Sequence, residues 1–127
     1  MPTPPLALGL RATVAHTVQA SDTALSVGSG DLEVLGTPRL LAWLEGATCD
    51  ALAAHLAPEE TSVGSRMSLE HQAASPVGAE LEVQATLVHV DGRLVRFEAV
   101  ALSEGKLVGR AEITRVIVDR TRFLARL

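Results

Sequence analysis

Thr37-Pro-Arg-Leu-Leu-Ala-Trp-Leu-Glu-Gly-Ala-Thr-Cys-Asp-Ala-Leu-Ala-Ala-His-Leu56 is the one long segment of the chain with clear helical periodicity. Leu40, Leu44, Ala47 and Ala51 fall three or four residues apart and define an apolar stripe, which Leu41, Thr48 and Leu52 widen. Thr37 reads as the N-cap and Pro38 as the first helical residue, where a missing N–H costs nothing. Pro58 closes the segment. Glu45 sits in the second apolar row, between Leu41 and Thr48. A carboxylate there is costly unless it is paired, which makes Glu45 the first functional suspect.

Outward from this helix the pattern changes to period two. On the N-terminal side, Leu10 to Gln19 reads as a strand with Leu10, Ala12, Val14, His16 and Val18 on one face. His16 on such a strand fits a sheet edge or an interface better than a ligand. Ala20 to Gly36 is rich in Ser, Gly and Asp and reads as a long connection: either a lid or binding loop, or a cover with a short helical turn near Asp31 to Leu35.

On the C-terminal side, Ser62 to Ala74 reads as a strand with Val63, Met67, Leu69, His71 and Ala73 on one face. Three more strands follow in a meander: Glu80 to Val90, Arg93 to Glu104 and Lys106 to Val118, with turns at Asp91-Gly92 and Glu104-Gly105. Leu81, Val83, Ala85 and Leu87 point inward on the first, and Leu107, Gly109, Ala111, Ile113 and Ile117 on the last. A two-residue turn at Asp91-Gly92 sets Arg96 and Glu98 on the inward face of the middle strand. Either a bulge or an open sheet end relieves that conflict. Asp119 to Leu127 reads as a basic tail or short helix. The sum is an α+β domain over residues 1–127, with one helix against one antiparallel sheet. The sheet's other face carries Val88, Val90, Val95, Phe97, Ala99, Ala101, Val108, Val116 and Val118, an apolar set that calls for a partner, most simply a second copy.

Composition narrows the function. The 127 residues suffice for one domain with a real core, and 47% are hydrophobic. A net charge of −4 and an aromatic content of 2% argue against nucleic acid. No run is long enough for a membrane helix. Cys49 is the single cysteine and fits a reducing, cytoplasmic setting. No His/Cys/Asp cluster has metal-ligand spacing, and no phosphate-binding glycine loop appears.

The order of elements resembles the hotdog fold over about Leu10 to Val118, and within that superfamily the fluoroacetyl-CoA thioesterase type. The resemblance rests on Gly36-Thr37 opening the helix, on Trp-Leu-Glu-Gly-Ala-Thr-Cys with Glu45 eight residues after Thr37, and on Ser62-Val63-Gly64 leading a strand that ends Glu-His-Gln-Ala-Ala-Ser-Pro-Val-Gly, with His71 26 residues after Glu45. It implies a catalytic set of Thr37, Glu45 and His71 acting on an acyl-CoA, with coenzyme A as part of the substrate and no separate cofactor. It also implies a homodimer, or a tetramer built from one. Gly64 allows close approach to the thioester and could offer an N–H to its oxygen. Glu45 would be a general base on water or a nucleophile, His71 would orient or relay a proton, and Thr37 would hold water or attack. The family member that handles fluoroacetyl-CoA has an aromatic lid before the helix. Ser21 to Gly36 contains no Phe, Trp or Tyr, so that specificity is not carried over. The short Asp, Asn, His motif of hotdog hydratases is absent. A non-catalytic hotdog module binding acyl-CoA is the alternative. On a regular helix Thr37 and Glu45 lie ~12 Å apart, so either the helix begins later, or the substrate spans them, or the site joins two subunits. The resemblance, to enzymes that are commonly dimers with interface sites, implies the last.

Overall fold

The protein was studied as a computed structural model that describes residues 4–127. Residues 1–3 lie outside the described residues. Five antiparallel strands, β1 (Arg11–Thr17), β2 (Glu60–His71), β3 (Glu80–Asp91), β4 (Leu94–Ser103) and β5 (Lys106–Asp119), form one sheet in the order β1-β3-β4-β5-β2. Three helices accompany them: α1 (Ala24–Val27), α2 (Thr37–Leu52) and α3 (Arg120–Ala125). The sheet curves around α2, whose Leu40, Leu44, Ala47, Thr48, Ala51 and Leu52 are all buried. A 3-10 turn, Ala53–His55, ends that helix before Pro58.

The helix begins one residue differently from the sequence reading. Gly36 is the N-cap, and Thr37 and Pro38 are already helical. Gly36 suits the cap because a Cβ there would meet Val27 Cγ2 at 2.8 Å and the Ala24 backbone. Its N–H donates to the Asp22 carbonyl and its own carbonyl accepts from Leu40 N–H. The Thr37 hydroxyl is thereby released from capping. In the preceding connection the helical turn is α1, not Asp31 to Leu35, and Thr23 caps it by accepting from Ser26 N–H.

Three bulges set the faces of the sheet. The β3–β4 ladder slips between Leu87 and His89, so Val88 is the extra residue. The hairpin also pairs Asp91 with Leu94, one position later than the Asp91-Gly92 turn implies. Val95, Phe97, Ala99 and Ala101 therefore turn inward and are buried, while Arg96 and Glu98 face out. The bulge, not an open sheet end, resolves the conflict on the middle strand. A second slip at Ser65 puts Gly64 and Met67 on the helix side of β2. A third, at Val108, directs that carbonyl to accept from both Gln72 and Ala73 N–H, fixing the end of β2. The outer face is accordingly less apolar than the sequence implied. Val95, Phe97 and Val108 belong to the core, and the outer face carries the Arg96–Glu112 ion pair.

The largest buried side chains include Leu40, Leu44, Leu52, Leu81, Leu87, Phe97 and Ile113. Leu44 sits at the middle of the helix stripe and is fully buried. Leu44→Ala is expected to lower unfolding free energy by ~2–5 kcal/mol, measured as a shift of the urea midpoint with the slope unchanged.

Candidate active site

Two polar couples lie where α2 passes over β2, one at each end. At the helix start, Thr37 Oγ1 lies 2.8 Å from His71 Nδ1 at the end of β2. Gly109, the β5 partner of His71, makes this contact possible. A Cβ there would lie 3.0 Å from Leu40 Cδ2 and 3.0 Å from the Glu70 carbonyl. With only hydrogen at that position, Leu40 sinks against the sheet and the first helical turn reaches the strand.

The His71 ring is half-buried, and burial pushes its pKa below 6.5, with the Ala73 backbone opposing more weakly. Charging an imidazole away from water is unfavourable, so the neutral ring is the resting form. Its Nε2 is buried and forms no hydrogen bond among the described residues. Nδ1 either accepts from the Thr37 hydroxyl or, in the other tautomer, donates to it. A cavity of ~250 Å³ opens beside the couple, walled by Ala24, Val34, Leu35 and Ala74 together with Ser29 and Gln72.

Two helical turns on, Glu45 Oε2 accepts from Arg115 NH1 at 2.9 Å. Arg115 is only 6% exposed. Its Nε donates to Ser62 Oγ at 2.9 Å and its NH2 to the Ser62 carbonyl at 3.0 Å. This guanidinium is the residue that sequence reasoning missed as Glu45's partner. Arg66, on β2, is exposed. The signal was present: Arg115 falls in the alternating row of Gly109, Ala111, Ile113 and Ile117, and a cation in an inward row needs an acid across from it. Gly64 completes the couple, because a Cβ on it would lie 2.7 Å from Glu45 Oε2 and run into Met67 Cε. Glu45 and His71 do not pair with each other.

The remaining candidates take structural places. His16 stacks on Trp43 with ring centroids 4.4 Å apart and planes 5° from parallel. Burial lowers its pKa, and Asp22 and then Asp50 oppose that. Cys49 is exposed and unpaired. Among the described residues no three His, Cys, Asp or Glu side chains are grouped to hold a metal, and no helix is long and apolar enough to cross a membrane.

One helix laid in a five-stranded antiparallel sheet, with polar couples where the helix meets an edge strand, defines a hotdog-fold protein of the thioesterase superfamily. The model of the fluoroacetyl-CoA-specific thioesterase family matches residues 18–121, and the chain belongs to that family, a family of thioester hydrolases. It is 30% identical over 95 residues to the fluoroacetyl-CoA thioesterase of Streptantibioticus cattleyicolor, covering 75% of this chain and 68% of that one. A solved structure of the fluoroacetyl-CoA thioesterase FlK superposes with a TM-score of 0.91 at 26% identity, over 97% of this chain and 96% of that one. A mutant of FlK in complex with fluoroacetate and CoA gives a TM-score of 0.88 at 26% identity, over 93% and 99% of the two chains. A Thermus thermophilus protein of the thioesterase superfamily, at 24% identity, shares the fold with a TM-score of 0.88 over 95% and 90% of the two chains.

Two outcomes follow from this geometry. Arg115→Met leaves the Glu45 carboxylate, 30% exposed, without its cation and the Ser62 carbonyl without a donor. Partial exposure tempers the loss, and unfolding free energy is expected to fall by ~2 kcal/mol, read from a urea titration. Stability should also fall as pH drops below 6.5. His16 and His71 both have folded pKa values below 6.5, so the unfolded chain binds their protons first and stability declines until the folded rings titrate. Urea midpoints at pH 7.5 and 5.5 measure this, and His71→Gln should reduce the difference.

Proposed function

We propose that the chain is a homodimeric, cytoplasmic hydrolase of short-chain acyl-CoA thioesters whose site joins Glu45 and Gly64 of one protomer to Thr37 and His71 of the other. The observation that carries this reading is the separation of the two couples. Thr37 and Glu45 are eight residues apart on one helix, ~12 Å along its axis. His71 and Gly64 are seven residues apart on one strand, ~20 Å along it. No single chain can close both couples on one carbonyl carbon.

The sheet supplies a way to close them. β2 is an edge strand, and its outer ladder is free to pair. Antiparallel pairing of β2 with a second β2, about a two-fold axis between Met67 and Ser68, sets Gly64 opposite the partner's His71. The Glu45 couple of each protomer then meets the Thr37 couple of the other, giving two equivalent sites.

In such a site Glu45 takes a proton from water as the water oxygen bonds to the thioester carbon. Thr37 donates its hydroxyl hydrogen to the developing oxyanion, with neutral His71 donating through Nδ1 to Thr37 Oγ1. Gly64, lacking a side chain, lets the carbonyl approach the strand. Collapse of the tetrahedral intermediate breaks the C–S bond, and Glu45 returns its proton to the departing CoA thiolate. Water and these side chains account for every bond made and broken, so no separate cofactor is required. The small cavity beside Thr37, mostly aliphatic with Ser29 and Gln72 in its lining, suits a small acyl group, and the lid offers no aromatic ring to favour a fluorinated one.

The test uses thiol release from a panel of short acyl-CoAs. Glu45→Gln is expected to lower kcat by about 10²–10⁴ and Thr37→Val by about 10²–10³. Mixing the two inactive variants through a cycle of dissociation should restore activity to about a quarter of wild type, because half of randomly paired dimers are mixed and each holds one intact site. No recovery in verified mixed dimers would sink the shared site.

A further inference from the structure

The geometry points to a nucleotide-binding pocket at the C-terminal end of β5, where Arg93, Arg122, Arg126 and Phe123 would hold the 3′-phosphoadenosine diphosphate end of CoA. This proposal rests on the acyl-CoA reading above and names where that substrate's charged head is held. The pocket is a cavity of ~210 Å³ floored by Val116 and Val118. Three guanidinium groups around one hollow stand out in a chain whose formal charge is −4. The four ion pairs among the described residues involve Arg39, Arg93, Arg96 and Arg115, so Arg122 and Arg126 are free of carboxylates.

The acids nearby are already engaged. Asp119 also lines the pocket, but its Oδ1 accepts from Arg122 N–H at 2.9 Å and caps α3. Glu60 Oε2 lies 3.6 Å from Arg93 NH1, and the Arg93 side chain remains 64% exposed. Guanidinium groups are suited to phosphate because their forked donors match its oxygens. The Phe123 ring, among valines, offers a face on which a base can stack.

The position matches the chemistry. Gly64 pairs with Arg115, and Glu60 with Asp119 four residues along the same ladder. The pocket mouth is therefore ~13 Å from the Gly64 rung, within reach of an extended pantetheine arm. Val116 and Val118 alternate with Arg115 and Ile117, so the arm rounds the sheet past Glu60 to the face opposite α2.

The experiment pairs titration with kinetics on the full chain. Wild type, R122Q/R126Q and, as a control elsewhere on the outer face, R110Q are titrated with 3′,5′-ADP and with CoA. The double variant is expected to bind both about tenfold or more weakly, with R110Q unchanged. KM for a short acyl-CoA should rise by the same factor while kcat, and hydrolysis of the matching acyl-pantetheine, stay at wild-type values. Unchanged affinity for 3′,5′-ADP in the double variant overturns the pocket. So does an equal loss in R110Q, which would mark a general charge effect, or an equal loss on acyl-pantetheine. If wild type hydrolyses neither thioester, the hydrolytic reading falls, and the 3′,5′-ADP titration still decides the pocket.

Discussion

The depth to which α2 sinks into the sheet governs both polar couples of the candidate site. Two glycines of the sheet set that depth, one near each end of the contact. Gly109 admits Leu40, and Gly64 leaves room for the Glu45 carboxylate. A side chain at either position would lift one end of the helix, and a lift of an ångström exceeds what a hydrogen bond tolerates. The buried stripe from Leu40 to Leu52 holds the helix down along its length. Packing thus carries the energy, and the glycines convert it into position.

The two couples that result differ in electrical character. Arg115 is a buried cation held by three hydrogen bonds, and it gives Glu45 a fixed direction on the helix. Thr37 and His71 form a couple whose imidazole burial keeps neutral. A charged acid at one end and a neutral donor chain at the other suit opposite tasks, proton removal and stabilisation of developing negative charge. Had both couples carried charge, the cost of burying them would have opposed the close helix contact that builds them.

Much of this was legible in the sequence, and the reasons for the misses are physical. The helix stripe and most strands stood out because burial on one face imposes a period, and the ends of β3 and β5 fell within a residue or two of their predicted positions. Glu45 stood out as an acid in an apolar row and His71 as a histidine in one, while Thr37 joined them only through the family resemblance. The bulges at Ser65 and Val108 were not visible, and the one at Val88 showed only as one of two ways to relieve the conflict on β4, because an inserted residue leaves the local alternation intact and only shifts its phase. That shift moved Val95 and Phe97 from the outer face into the core. Arg115 was missed because an arginine between Ile113 and Ile117 reads as a break in the inward row when it is a member of it. The Thr37 cap was misassigned because Thr outranks Gly at that position by propensity, whereas here the crowding of Val27 and Ala24 against residue 36 decides.

In the proposed site the connection before α2 faces the acyl group. It is anchored at its base: Leu35 N–H donates to the Ser75 carbonyl, Gly36 N–H to the Asp22 carbonyl, and Asp22 pairs with Arg39 at 3.1 Å. Its tip is looser, with Leu25 and Leu32 53% and 64% exposed. The connection presents Ala24, Val34 and Leu35 to the cavity beside Thr37, with Ser29, and the end of β2 adds Gln72. Aliphatic walls interact through dispersion and exclusion of water and have no ring quadrupole or donor with which to sense a polar substituent. One methylene in such a pocket is worth about 1–3 kcal/mol, and an isostere that differs only in polarity is poorly rejected. In the proposed site the aliphatic part of this wall therefore selects on the length and branching of the acyl chain, and polarity is left to the Thr37–His71 couple, Ser29 and Gln72.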